Sequence, residues 1–130
     1  KVKRMAQKYI VDDIVMYKNK IHTIIGTLRL NNYELSYVSH SVNQAELSGV
    51  PLTPEILEKN GWYGTTHSKQ SDDNTKILYK TFKREGYPTI KVSQDLKITC
   101  ELSPFIVKLE SVSDLQYLLF GLGINHEMEV

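Results

Sequence analysis

The sequence is short of most things that announce a function. Cys100 is its only cysteine among 130 residues, so no disulfide can form within the chain, and a reducing cytosol is the expected compartment. No apolar run approaches the roughly 20 residues of a transmembrane helix. The basic start KVKRMAQKYI lacks the apolar core of a signal peptide, so no membrane partner is expected. A formal net charge of +1 gives no overall pull towards nucleic acid or anionic lipid. His22, His40, His67 and His126 have neither the i, i+4 helical spacing nor the cysteine neighbours of a zinc site. Asp72, Asp73 and Asn74 lack the glycine and distal glutamate of a calcium loop, and they read as a solvated turn. The only GLG follows a helical pattern instead of opening one, so no phosphate loop is present. His126 and Glu127 could form an acid–base pair, but they sit in a tail where chains fray. Cys100 falls on an apolar parity face and reads as core. No catalytic residue, metal site or cofactor is therefore assigned, and an enzyme is not expected.

What is present describes a globular chain. The apolar share of 41% and charged share of 24% fit one folded domain over residues 1–130 with a single core, residues 1–8 being frayed. Charge is uneven along it. Lys76, Lys80, Lys83, Arg84, Lys91 and Lys97 face only Glu85 and Asp95 within the same stretch. Beyond Ile98 the balance is acidic, which gives a basic middle and an acidic end.

Strand signals dominate the first forty residues. Tyr9 to Tyr17 and Ile21 to Leu30 are rich in β-branched and aromatic types and are joined by KNK, where Asn19 suits a left-handed turn. Asn31-Asn32 predicts a second turn, and Tyr33, Leu35 and Tyr37 then alternate inward. A crossover leads to GVPLTPEILEKNGW, a helix of about one and a half turns. Thr53 is its N-cap, Pro54 its first residue and Gly61 its stop. Gly64 to Asn74 carries no apolar residue and reads as a mobile loop or hairpin tip. Strands return at Thr75 to Lys83 and Gly86 to Ser93. Ile90, Val92, Leu96, Ile98, Cys100 and Leu102 share one face, and Phe105, Val107 and Leu109 continue it. Ser113 and Gln116 predict a capping box for a final helix with Leu115, Leu118, Leu119 and Leu122 as its buried stripe and Gly123 as its stop. The expected class is α+β: a curled antiparallel sheet, up to barrel-like closure, with a short central helix and a C-terminal helix packed on it.

Three segments add a resemblance. VDDIVMYKNKIHTIIG resembles an N-terminal hairpin usually written Gly-Asn-x-Val, a turn, then Lys-Ile-x-x-Ile, with Asp12-Asp13 in place of Gly-Asn. VPLTPEILEKNGW resembles a central Pro-Leu-Thr-x-x-x-Leu-x-Lys-x-Gly-Phe segment nearly residue by residue. VSDLQYLLFGLG resembles a closing helix Val-His-x-Leu-Gln-x-Leu-x-Phe-Ala-Leu-Thr-Gly, with Ser113 for histidine and Gly121 for alanine. Together they resemble a family of small proteins encoded by phages and prophages of Bacteroides-type bacteria, which offers no active-site motif to transfer. The resemblance implies a phage accessory protein in the cytoplasm of the infected host.

Binding chemistry is better supplied than catalysis. Eight tyrosines and Trp62 can stack on bases and still hydrogen-bond. YKTFKREGYP interleaves aromatics with Lys80, Lys83 and Arg84, and Arg84 could fork onto phosphate. The candidate ligand-binding residues are Arg29, Trp62, Tyr63, Lys80, Arg84 and Tyr87. The leading expectation is a non-enzymatic anti-defence sponge: a homo-oligomer holding a nucleotide-derived immune signal. Alternatives are a module that binds a host defence protein through a sheet edge, a nucleic-acid-binding accessory protein, and a hydrolase of the same signals.

Overall fold

The computed structural model describes residues 6–70 and 72–130; residues 1–5 of the expected frayed start, and Ser71 of the expected loop, lie outside the described residues. The fold is α+β. Among the described residues, ten strands form two five-stranded sheets, accompanied by two α-helices. The chain groups into two compact units, Lys1–Pro51 with Ser111–Met128, and Leu52–Glu110 with Glu129–Val130. The single curled sheet expected from the sequence is thus two open sheets, neither closed into a barrel.

The first unit holds β1 (Ile14–Tyr17), β2 (Lys20–Leu28), β3 (Asn32–Leu35), β4 (Val42–Asn43) and β5 (Leu47–Gly49), in the order β4-β3-β2-β1-β5. Lys18 and Asn19 both take positive φ, 48° and 62°, the type I′ geometry that matches strand twist in a two-residue hairpin. The next turn lies slightly earlier than the Asn-Asn pair predicted, at Arg29–Asn31, with Leu30 and Asn31 left-handed. Tyr37 does not follow Tyr33 and Leu35 inward. The strand ends at Leu35, and Tyr37 turns outward at φ 61°. Residues 9–13 precede β1 instead of extending it, although Tyr9 is buried edge-on against Tyr33.

The C-terminal helix α2 (Val112–Gly121) packs on β1 in this unit. Its capping box is Ser111 with Asp114, two residues upstream of the predicted Ser113 and Gln116 pair. Asp114 N donates to Ser111 Oγ and Ser111 N donates back to Asp114 Oδ2. Ser113 and Gln116 face inward instead. Gln116 Oε1 accepts from Ile14 N at 2.8 Å, while its Nε2 donates to the carbonyls of Asp12 at 2.8 Å and His126 at 3.0 Å. One buried amide therefore ties the start of β1 and the chain after α2 to the helix. The final residues form no strand, and they do not hang free. Asn60 exchanges hydrogen bonds with Glu129 within the second unit, and His126 Nε2 donates to the Val11 carbonyl within the first.

The second unit opens with α1 (Pro54–Lys59), capped by Thr53 Oγ1 accepting from Ile56 N, with Pro54 at its first position and Gly61 at φ 93° after it. These are the ends predicted from the sequence. Then β6 (Tyr63–Gln70), β7 (Lys76–Lys83), β8 (Ile90–Val92), β9 (Ile98–Leu102) and β10 (Phe105–Lys108) form an antiparallel meander. Of the two readings of 64–74, the mobile loop is overturned: the segment is one arm of a hairpin, with 72–74 in the turn before β7. Residues 64–70 pair fully with β7, from Gly64 opposite Phe82 to Gln70 opposite Lys76. Polarity misled here because β6 is an edge strand exposed along nearly its whole length, and alternation is invisible where neither face is strongly apolar.

Side-chain alternation gives this sheet two different faces. Phe82, Ile90, Val92, Ile98 and Cys100 form the buried one. Leu96, expected among them, sits in the Ser93–Lys97 turn at φ 64° and is exposed. Phe105 is also exposed, at the far edge of the meander. The opposite face is polar and carries Tyr79, Thr81, Lys91 and Thr99.

Candidate functional site

Three of the six candidate residues meet in the second unit. Trp62 leaves α1 through Gly61, and its backbone N–H donates to the Leu57 carbonyl at 3.0 Å. Its ring is buried, 1% exposed, and Nε1 donates to the Pro88 carbonyl at 3.4 Å. Tyr87 N donates to the Arg84 carbonyl at 3.0 Å across a turn with Gly86 at φ 79°. Positive φ only at the third position is the type II pattern, which favours glycine there. That turn sets Arg84 and Tyr87 side by side.

The guanidinium carbon of Arg84 lies 3.9 Å from the Tyr87 ring centroid and 5.1 Å from that of Trp62. The two rings meet edge to face at 5.1 Å and 73°. Arg84 is thereby held against two π surfaces. Gly61 provides room for it, since a Cβ there would stand 3.3 Å from Arg84 Nε. Among the described residues no carboxylate or other acceptor pairs with the guanidinium. A half-buried arginine held against two rings with unused N–H donors can bind a planar or tetrahedral oxyanion at little entropic cost.

Trp62 was expected to offer a stacking surface, and here the structure differs. Its ring belongs to the core and orders Arg84. Tyr63 is the exposed ring of the pair, at 70%, opposite Lys83 at the start of β6. Lys80 is paired with Thr66 and Val92, so it shares the parity of Phe82 and not that of Tyr79, Thr81 or Lys83. The basic stretch thus divides between two faces instead of forming one patch. Arg29 belongs to the first unit, exposed in the turn after β2, where its carbonyl accepts from Asn32 Nδ2 at 3.1 Å.

A second polar assembly escaped the sequence reading. His67 stacks on Tyr79 with centroids 5.1 Å apart, and its Nε2 lies 2.8 Å from Thr81 Oγ1. Lys91 Nζ stands 4.7 Å from the same tyrosine ring. A groove of about 400 Å³ lies on this face, lined by Thr81, Thr89, Lys91, Thr99, Glu101, Ser103 and Ile106. Only the strand register could have revealed it, because its residues come from four strands and two connections.

The first unit holds the most perturbed carboxyl. Asp13 is fully buried; its Oδ2 accepts from Ile10 N at 3.0 Å, and Oδ1 has no hydrogen-bond partner among the described residues. Burial raises its pKa from the ordinary 3.8 to about 6, against the opposing pull of the Ile10 N–H and His126. No group of three or more metal-ligating side chains occurs among the described residues. No helix there is long and apolar enough to cross a membrane.

No protein-family model, curated protein or solved structure matches the chain.

Proposed function

We propose that the chain is a non-enzymatic binder of a phosphate-bearing, nucleotide-derived ligand, with Arg84 as the anion anchor. The observation that carries this reading is the guanidinium of Arg84, unpaired among the described residues and held against Tyr87 and Trp62. Arginine is normally paired when partly buried, and one kept ordered without a partner is suited to an incoming oxyanion. Lys83 adds a second cation near the start of β6, and exposed Tyr63 opposite it supplies a ring for a base. Together with the resemblance to phage proteins, this favours a sponge that sequesters a nucleotide immune signal in the host cytoplasm, as a homo-oligomer. Purified protein incubated with cyclic nucleotides and ADP-ribose derivatives, washed, then heated, should release ligand intact. Release of cleaved ligand would point to a hydrolase, and retention of none would refute the sponge.

A second reading has its own observation. Among the described residues the eight-residue edge strand β6 pairs only with β7, and it carries Lys69 as its single charge. Such an edge is a template for strand addition by another chain, which suits a module that binds a host protein. Protein capture that survives Arg84→Gln and is lost with a proline at Thr66 would favour it.

A further inference from the structure

We propose that the groove on the polar face of the second sheet binds a small, neutral, polyhydroxylated ligand of the monosaccharide class. This does not rest on the Arg84 reading; it follows from what the register brings together. Thr81 stands opposite Lys91, Lys91 opposite Thr99, and Glu101 opposite Ile106. With Thr89 and Ser103 they line an open groove of about 400 Å³, room for a ring of monosaccharide size.

The chemistry of the lining selects the ligand. Four hydroxyls, one ammonium and one carboxylate surround a single apolar side chain, Ile106. An apolar occupant would strip water from six polar groups without replacing their hydrogen bonds, a penalty paid at each. A phosphorylated occupant would meet Lys91 but also Glu101, whose charge cancels it. A zwitterion would satisfy those two charges and leave four hydroxyls without partners. A polyol matches all six: adjacent hydroxyls donate to the Glu101 carboxylate, accept from Lys91, and exchange with the threonines and Ser103.

The site is also ordered before a ligand arrives. Lys91 is held over the Tyr79 ring, which stacks on His67. His67 in turn engages Thr81 Oγ1; when its Nε2 carries the proton, the Thr81 O–H is left free to donate into the groove. Among the described residues neither Lys91 nor Glu101 has an ion-pair partner, although they line the same groove. Each retains its hydrogen-bonding capacity.

Amide-detected NMR titrations with glucose, glycine and inorganic phosphate, run separately, test this. Glucose is expected to shift the amides of Lys91, Thr99 and Glu101 and to saturate on the order of millimolar. Glu101→Gln and Lys91→Met should each weaken it about tenfold, their dispersed spectra reporting intact folding. Arg84→Gln should leave the glucose titration unchanged, which separates this site from the anion anchor. The proposal is overturned if glucose shifts none of these amides, if neither groove variant weakens it, or if glycine or phosphate occupies the groove more tightly.

Discussion

The Arg84 guanidinium carbon lies 3.9 Å from the Tyr87 ring centroid, the two residues being the ends of one four-residue turn closed by Tyr87 N donating to the Arg84 carbonyl. The Trp62 ring centroid lies 5.1 Å from the same carbon. The tryptophan delivered by the carefully capped helix α1 thus acts through arginine. The end signals of that helix matter because they determine where Trp62 enters the core.

Gly61→Ala should show how tightly this arrangement is tuned. The position has φ 93°, and a Cβ would stand 3.3 Å from Arg84 Nε. Backbone strain alone costs about 1–2 kcal/mol for an L-residue there. The expected outcome is a lower denaturation midpoint together with weaker anion binding. Gly121→Ala, where a Cβ meets nothing within 4 Å, should do neither.

Asp13 makes stability depend on pH in a defined window. Its folded pKa, about 6, lies above the ordinary 3.8, so the native state binds the extra proton between those values. The stabilisation this gives is complete below about pH 4 and is lost as pH rises through 6. The shift corresponds to about 3 kcal/mol. Asp12, Asp114 and His126 contribute to the same field. Chemical denaturation of wild type and Asp13→Asn across pH 4 to 7 should show the variant gaining on wild type by about that amount. A difference that does not change with pH would contradict the assignment.

Gln116→Leu removes the three hydrogen bonds from the buried amide to Ile14, Asp12 and His126. It leaves one N–H and two carbonyls unpaired, so a loss of about 2–4 kcal/mol is expected. Hydrogen exchange should accelerate first at Ile14, whose amide loses its acceptor.

The helix caps show how much the sequence disclosed. Thr53, Pro54 and Gly61 were legible because each is a local signal that needs no tertiary partner. For α2 two boxes overlap, Ser111 with Asp114 and Ser113 with Gln116. Burial of Val112, Leu115 and Leu119 decided between them, a tertiary fact. Ser111→Ala should therefore cost about 1 kcal/mol as a lost cap. Ser113→Ala should cost less, since among the described residues the only hydrogen bond of its hydroxyl is to Ser111 Oγ.

The candidate site was legible in part for the same reason. Trp62, Arg84 and Tyr87 lie at the ends of one hairpin arm and one turn, so chain proximity already suggested them. The role of Trp62 was not legible, because burial depends on the sheet beneath it. The Tyr79–Lys91 face was hidden altogether. Lys80 and Lys91 look equivalent in a basic stretch, and only pairing with Val92 and Thr81, respectively, places them on opposite faces.

The most direct test of the central claim is calorimetric titration of pyrophosphate, a compact probe for the phosphate groups that the proposed ligands share, into wild type and Arg84→Gln. Wild type should bind it with an affinity that falls as salt rises. The variant should lose about tenfold or more while keeping its unfolding free energy to within about 1 kcal/mol. Equal affinity in both proteins, or no binding to wild type, would contradict Arg84 as the anion anchor.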